Sequence, residues 1–82
     1  MAWIEKEAFL TKNFKFSNFK EAFGFMTQVA FEAEAMNHHP NWENVYNQVF
    51  IRLSTHDENK ITDKDHQLAQ AIDQVYHQFL KK

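Results

Sequence analysis

Three of the chain's five histidines are gathered in one stretch, as His38-His39-Pro40 and then Ser54-Thr55-His56. The imidazole is the one side chain whose unperturbed pKa lies near neutrality, so it both gives and takes protons there. Two adjacent imidazoles fixed by a proline, with a third at the end of a strand, therefore suggest a site that moves protons. Each member also has a plainer reading. A histidine pair in a loop is by itself more often solvated than catalytic, and His56 could simply satisfy a turn. Trp42 is by default a core aromatic, Glu34 a solvated helix residue, and His66 and His77 read as surface. Asp65 stands three residues after Thr62, the spacing of a capping box.

A metal site built from His38, His39 and His56 is a rival. Adjacent histidines on a short loop point in different directions, which makes joint ligation awkward. The chain has no cysteine, so only nitrogen and carboxylate ligands remain, and no metal is expected. The lack of cysteine also excludes disulfides and is compatible with a reducing cytosol.

The elements that must position these residues follow from hydrophobic period. Trp3–Lys6 and Leu10–Phe16 read as strands, with Phe14 and Phe16 on one face and Lys15 on the other; a bend at Lys12 or Asn13 is the alternative. From Ser17 or Asn18 the period becomes helical. Phe19, Ala22, Phe23, Met26, Val29, Ala30 and Ala33 form the expected buried stripe. Phe25 and Phe31 fall outside it, and Gly24 suggests a close approach by a partner. Asn18 with Glu21 has capping-box spacing. Pro40 stops this helix near Met36 or Asn37, because the residue before a proline leaves the α region, and His38 and His39 fall in the loop. Trp42 to Thr55 returns to period two, broken by a bend at Tyr46-Asn47-Gln48. After the polar turn Asp57-Glu58-Asn59-Lys60, Thr62 opens a last helix. Its stripe is Leu68, Ala69, Ile72, Val75, Tyr76, Phe79 and Leu80, and Lys81 and Lys82 suit the negative end of its dipole. The expectation is an α+β fold of order β-β-α-β-β-α, a four-stranded antiparallel sheet with two helices on one face.

Eighty-two residues leave room for one domain, 1–82, and a chain this short needs dense packing, which nine Phe, two Trp and two Tyr can supply. The net charge is −2 with the basic residues scattered, which argues against nucleic acid as a partner. No apolar run approaches the ~20 residues of a membrane span, and the start Met1-Ala2-Trp3-Ile4 lacks the pattern of a signal peptide. A cytoplasmic protein is expected.

His38-His39-Pro40-Asn41-Trp42-Glu43-Asn44-Val45-Tyr46, followed by Leu53-Ser54-Thr55-His56 and Asp65, resembles the signature of the pterin-4a-carbinolamine dehydratases. The preceding helix, with Ala22-Phe23-Gly24-Phe25-Met26 and Ala33-Glu34, is similar to that family too, and the likeness runs from about Phe14 to the end. The resemblance implies dehydration of a 4a-hydroxytetrahydropterin to the quinonoid dihydropterin, in tetrahydrobiopterin regeneration, with the pterin as substrate and no cofactor. It implies His38 and His56 as the acid/base pair and His39 as a pterin-orienting group, with the division between His38 and His39 open. Pro40 would fix the loop, Trp42 wall the pterin pocket and Asp65 hold a histidine or help bind substrate, with Thr55 and Glu34 completing the substrate-binding set. Lys60 departs from the family pattern, which commonly has glycine in that turn.

The alternative function is a protein-binding one, because some vertebrate members of the family also serve as a dimerisation cofactor of a homeodomain transcription factor. Phe25 and Phe31, placed outside the helical stripe, point to an oligomer, a homodimer or a homotetramer, and the resemblance implies the same.

Overall fold

The computed structural model describes residues 2–80. Its elements run β1 (Ile4–Lys6), β2 (Phe9–Lys15), α1 (Phe19–Met36), β3 (Asn41–Val45), β4 (Gln48–Leu53) and α2 (Asp63–Leu80). The strands form one antiparallel sheet in the order β1-β2-β4-β3. The pairs Leu10↔Leu53, Lys12↔Ile51 and Phe14↔Val49 put one row of side chains toward the helices. β2 runs through Lys12 and Asn13 without the bend that was the alternative. Lys12, on the helix-facing side, has its Nζ 2.8 Å from Asp73 of α2. It also lies over the ring of Phe14, while Trp3 Nε1 donates to the same carboxylate.

The expected bend is the two-residue turn Tyr46-Asn47 between Val45 and Gln48, with Tyr46 in the left-handed region. Asn47 ties this turn to the end of β2. Its carbonyl accepts from Phe16 N, and its side-chain amide donates to Phe16 O, both at 2.9 Å.

Asn18 caps α1 by accepting from Glu21 N at 2.9 Å, and the Glu21 carboxylate reaches back to Ser17 N. The buried face of α1 differs from the expected stripe. Ala22, Phe25, Val29 and Ala33 are the buried residues, whereas Phe19, Phe23 and Ala30 are exposed. Phe25 is fully buried and packs between Phe14 and Phe16 of the sheet and Tyr76 and Phe79 of α2. The physical reason is that α1 is apolar on more than one side, so two rows satisfy helical spacing and the sheet takes the row led by Phe25. Phe31 is 71% exposed. Gly24 meets α2: a Cβ there would lie 3.4 Å from the Phe79 ring.

α2 buries Leu68, Ala69, Ile72 and Val75, with Tyr76 and Phe79 packed against the core. Leu80 is exposed, not part of the stripe; Lys81 and Lys82 lie outside the described residues. Tyr76 contacts Phe14 and Phe16, so both helices cover the same face of the sheet. Among the described residues no helix is long and apolar enough to cross a membrane.

Candidate active site

The two halves of the histidine motif meet at one end of the sheet, where Asn41 at the start of β3 pairs with Arg52 near the end of β4. α1 ends with Asn37 in the left-handed conformation, φ 52 and ψ 42. Asn37 N donates to Glu34 O and His38 N to Ala33 O, the paired bonds of a Schellman cap. Asn tolerates that conformation better than most residues. The cap turns the chain so that His38 leaves the helix end pointing inward, toward α2. Beyond β4, period two continues in the open chain: Thr55 is buried while Ser54 and His56 face outward. Thr55 N is held by Lys60 O at 2.9 Å across an isolated bridge. The left-handed residue of this turn is Asn59, φ 53, so Lys60 occupies an ordinary conformation without glycine's freedom.

Asp65 is the anchor. It is fully buried in the first turn of α2. Its Oδ1 lies 2.6 Å from His38 Nε2. Its Oδ2 accepts from Thr55 Oγ1 and from Thr62 N, each at 2.9 Å. Thr55 has only one hydroxyl proton, so Thr62 Oγ1, 2.6 Å away, is the donor in the Thr–Thr bond. Asp65 is therefore both half of a capping box and the orienting partner of a histidine. The other half of the box is replaced by a backbone bond, Asp65 N donating to Thr62 O at 3.0 Å. An ionised carboxylate can only accept, which puts the proton of neutral His38 on Nε2 and leaves Nδ1 as the acceptor. Among the described residues Nδ1 has no protein partner.

A cleft of about 200 Å³ is lined by His38, His39, Thr55, His56 and Lys64, among others. A second, of about 240 Å³, adjoins it, and His39, Ser54 and His56 line both. All three sequence-predicted histidines thus border one cleft. Pro40 lines the second cleft. Glu34 lines neither, but its Oε1 is 2.8 Å from His39 Nε2, with both side chains largely exposed. Trp42 is half-buried on β3, opposite Ile51 and packed against the core, and lines neither cleft. Sequence reasoning passed over Thr62, Lys64 and Arg52. Thr62 was visible only as a cap, and the other two look like ordinary surface cations until the strand and turn are placed.

No set of three or more His, Cys, Asp or Glu side chains among the described residues is arranged to hold a metal. His38 and His39 point to different carboxylates. The arrangement can hold one imidazole rigidly against a carboxylate and present two others, open to water, at the same cleft. That suits proton transfer to and from a small bound molecule.

Residues 1–75 match the family model described as Pterin 4 alpha carbinolamine dehydratase, which extends the likeness upstream of Phe14 into β1 and β2. A protein of Prochlorococcus marinus named "Putative pterin-4-alpha-carbinolamine dehydratase" is 54% identical over 76 residues, 93% of this chain and 79% of the relative. The crystal structure of a transcriptional coactivator/pterin dehydratase from Brucella melitensis superposes with a TM-score of 0.85 at 40% identity, covering 90% of this chain and 79% of that one. A pterin dehydratase-like protein, identified as a RuBisCO assembly factor of the alpha-carboxysome, shares the fold at a TM-score of 0.78 and 22% identity, over 93% and 90% of the two chains. By the extent of the family match and the identity of these relatives, the chain belongs to the pterin-4a-carbinolamine dehydratase family.

Proposed function

We propose that the protein dehydrates a 4a-hydroxytetrahydropterin to the quinonoid dihydropterin and so serves tetrahydropterin regeneration. The observation that carries this is the His38–Asp65 pair, 2.6 Å apart, beside a cleft that His56 also lines. In the reaction the C4a–O bond breaks and the N5–H electron pair becomes the C4a=N5 double bond. The hydroxyl leaves as water once protonated, and the N5 proton goes to a base. His38 Nδ1 takes that proton, with the Asp65 carboxylate stabilising the imidazolium as it forms. His56, open to solvent, protonates the leaving hydroxyl and is reprotonated from water. His39, set by Glu34, orients the pterin; Pro40 holds the turn, and Thr55 acts through Asp65. Proton balance closes without a cofactor. His38→Ala and His56→Ala should each slow turnover by roughly 10²-fold or more, the usual share of a general acid or base. His77→Ala, on the exposed side of α2, should leave it unchanged. Wild-type turnover in both folded site variants would overturn the assignment.

The working unit in this reading is a cytosolic homodimer or homotetramer of the single 1–82 domain. Its support is the apolar surface left on α1 by Phe19, Phe23 and Phe31, each of which could contribute about 1.5–3 kcal/mol if covered. A second reading, a protein-binding cofactor of a transcription factor, draws on the same surface and on the coactivator role in the Brucella protein's description. Light scattering at micromolar concentration separates the two: a monomer would leave the face free for a different protein.

A further inference from the structure

The second cleft lies beside the proton-transferring one and has its own chemistry. It is lined by Arg52, Asn41, Asn59, Phe9 and Pro40 in addition to the shared His39, Ser54 and His56, and by no Asp or Glu. Arg52 is exposed on β4, and its cross-strand neighbours are Thr11 and Asn41, both uncharged. Its guanidinium lies 5.8 Å from the centre of the Phe9 ring and has no carboxylate partner among the described residues. Period two carries Arg52, Ser54 and His56 along one side of the chain, so only Ser54 stands between the cation and the proposed acid on that side. Ser54, Asn41 and Asn59 likewise make no side-chain hydrogen bond to the described protein.

The pterin ring fixes what can occupy that space. C6 is bonded to N5, and N5 to C4a, so the C6 substituent leaves the ring two bonds from the reacting carbon. In the reading above C4a and N5 sit at His38 and His56, which brings the adjoining cleft, sharing His39 and His56, within reach of that substituent. We infer that the pterin turned over here carries an anionic group, phosphate or carboxylate, on its C6 substituent, and that Arg52 binds it. A planar guanidinium pairs with either anion through two parallel hydrogen bonds. The Phe9 ring beneath and the neutral Asn41 and Asn59 alongside leave the guanidinium without an ion pair until such a group arrives; Glu7, which shares a further cleft with Arg52, makes none with it. This inference rests on the dehydratase reading.

The test compares 4a-hydroxytetrahydropterins that differ only at C6: a neutral dihydroxypropyl chain, its phosphate monoester, and a carboxylated chain. The wild type should favour at least one anionic substrate over the neutral one by about tenfold or more in kcat/KM, chiefly through KM. Whichever of the two is favoured identifies the anion. Arg52→Gln, checked for folding by circular dichroism, should bring the anionic-to-neutral ratio close to one, and Arg52→Lys should restore part of it. Dehydration of all three substrates with equal kcat/KM, or an Arg52→Gln variant that keeps the wild-type ratio, overturns this inference alone. No dehydration of any of the three overturns the dehydratase reading and this inference with it.

Discussion

His38 and His39 are consecutive residues, and each has Nε2 against a carboxylate, 2.6 Å from Asp65 and 2.8 Å from Glu34. The bonds are alike; their surroundings are not. The His38 side chain is 10% exposed and its partner 0%, whereas those of His39 and Glu34 are 59% and 78% exposed. Water competes for every bond of the outer pair and for almost none of the inner one. Desolvation raises the energetic consequence of each interaction and the cost of removing it. An inner pair of this kind fixes an orientation and a tautomer, while an outer pair leaves its imidazole free to follow a ligand. Two neighbouring histidines are given different work by the cap on α1, which sends one inward and leaves the next in solvent.

The hardest test of that contrast is Asp65→Ala. It would strip acceptors from His38 Nε2, Thr55 Oγ1 and Thr62 N together. Leaving buried donors unpaired costs about 1–3 kcal/mol each, although the sum is not additive. A stability loss of about 3 kcal/mol or more is expected in urea unfolding, together with a fall in turnover at least as large as that of His38→Ala. A loss below about 1 kcal/mol would mean that water reaches this cluster and that the inner pair resembles the outer one.

Thr55→Val is a smaller cut into the same cluster. It keeps the shape of the side chain and removes one donor to Asp65 and the acceptor for Thr62. We expect about 1–2 kcal/mol of destabilisation and a weaker effect on turnover, because His38 keeps its own bond to Oδ1. A kcat loss matching that of Asp65→Ala would show that the threonine sets the carboxylate's position rather than sharing its load.

The same contrast explains what could be seen from the sequence. Strand order in the chain, the stop at Pro40 and the turn at Tyr46-Asn47 are governed by local rules, and the structure follows them. The three histidines were readable as a set because their types and spacing are unusual. The burial of Phe25 was not readable: α1 offers two apolar rows, and the one that is buried meets Phe14 and Phe16 of the sheet and, far along the chain, Tyr76 and Phe79 of α2. Nor could spacing say which carboxylate serves which histidine. Asp65 carried a sufficient local explanation as a cap, and its bond to His38 spans 27 residues. Lys12 shows the same limit, since alternation places it on the core face but only the fold supplies Asp73 to receive it.

The smallest expected effect belongs to Glu34→Ala, and its smallness is the point. The His39–Glu34 bond is shorter than many protein hydrogen bonds, and geometry alone would rank it near the His38–Asp65 bond. Exposed ion pairs, however, contribute a median of about 0–1 kcal/mol, because high dielectric and the entropy of ordering two side chains offset the attraction. Glu34 also lies in the last turn of α1, where a negative charge meets the negative end of the helix dipole, so its removal relieves a small repulsion. The two contributions oppose each other. We therefore expect Glu34→Ala to change stability by less than about 0.5 kcal/mol in urea unfolding, in either direction. A loss above about 1 kcal/mol would show that the outer pair is held as firmly as the inner one, most simply because a second copy of the chain covers it, and the contrast between the two histidines would then hold only for the isolated subunit.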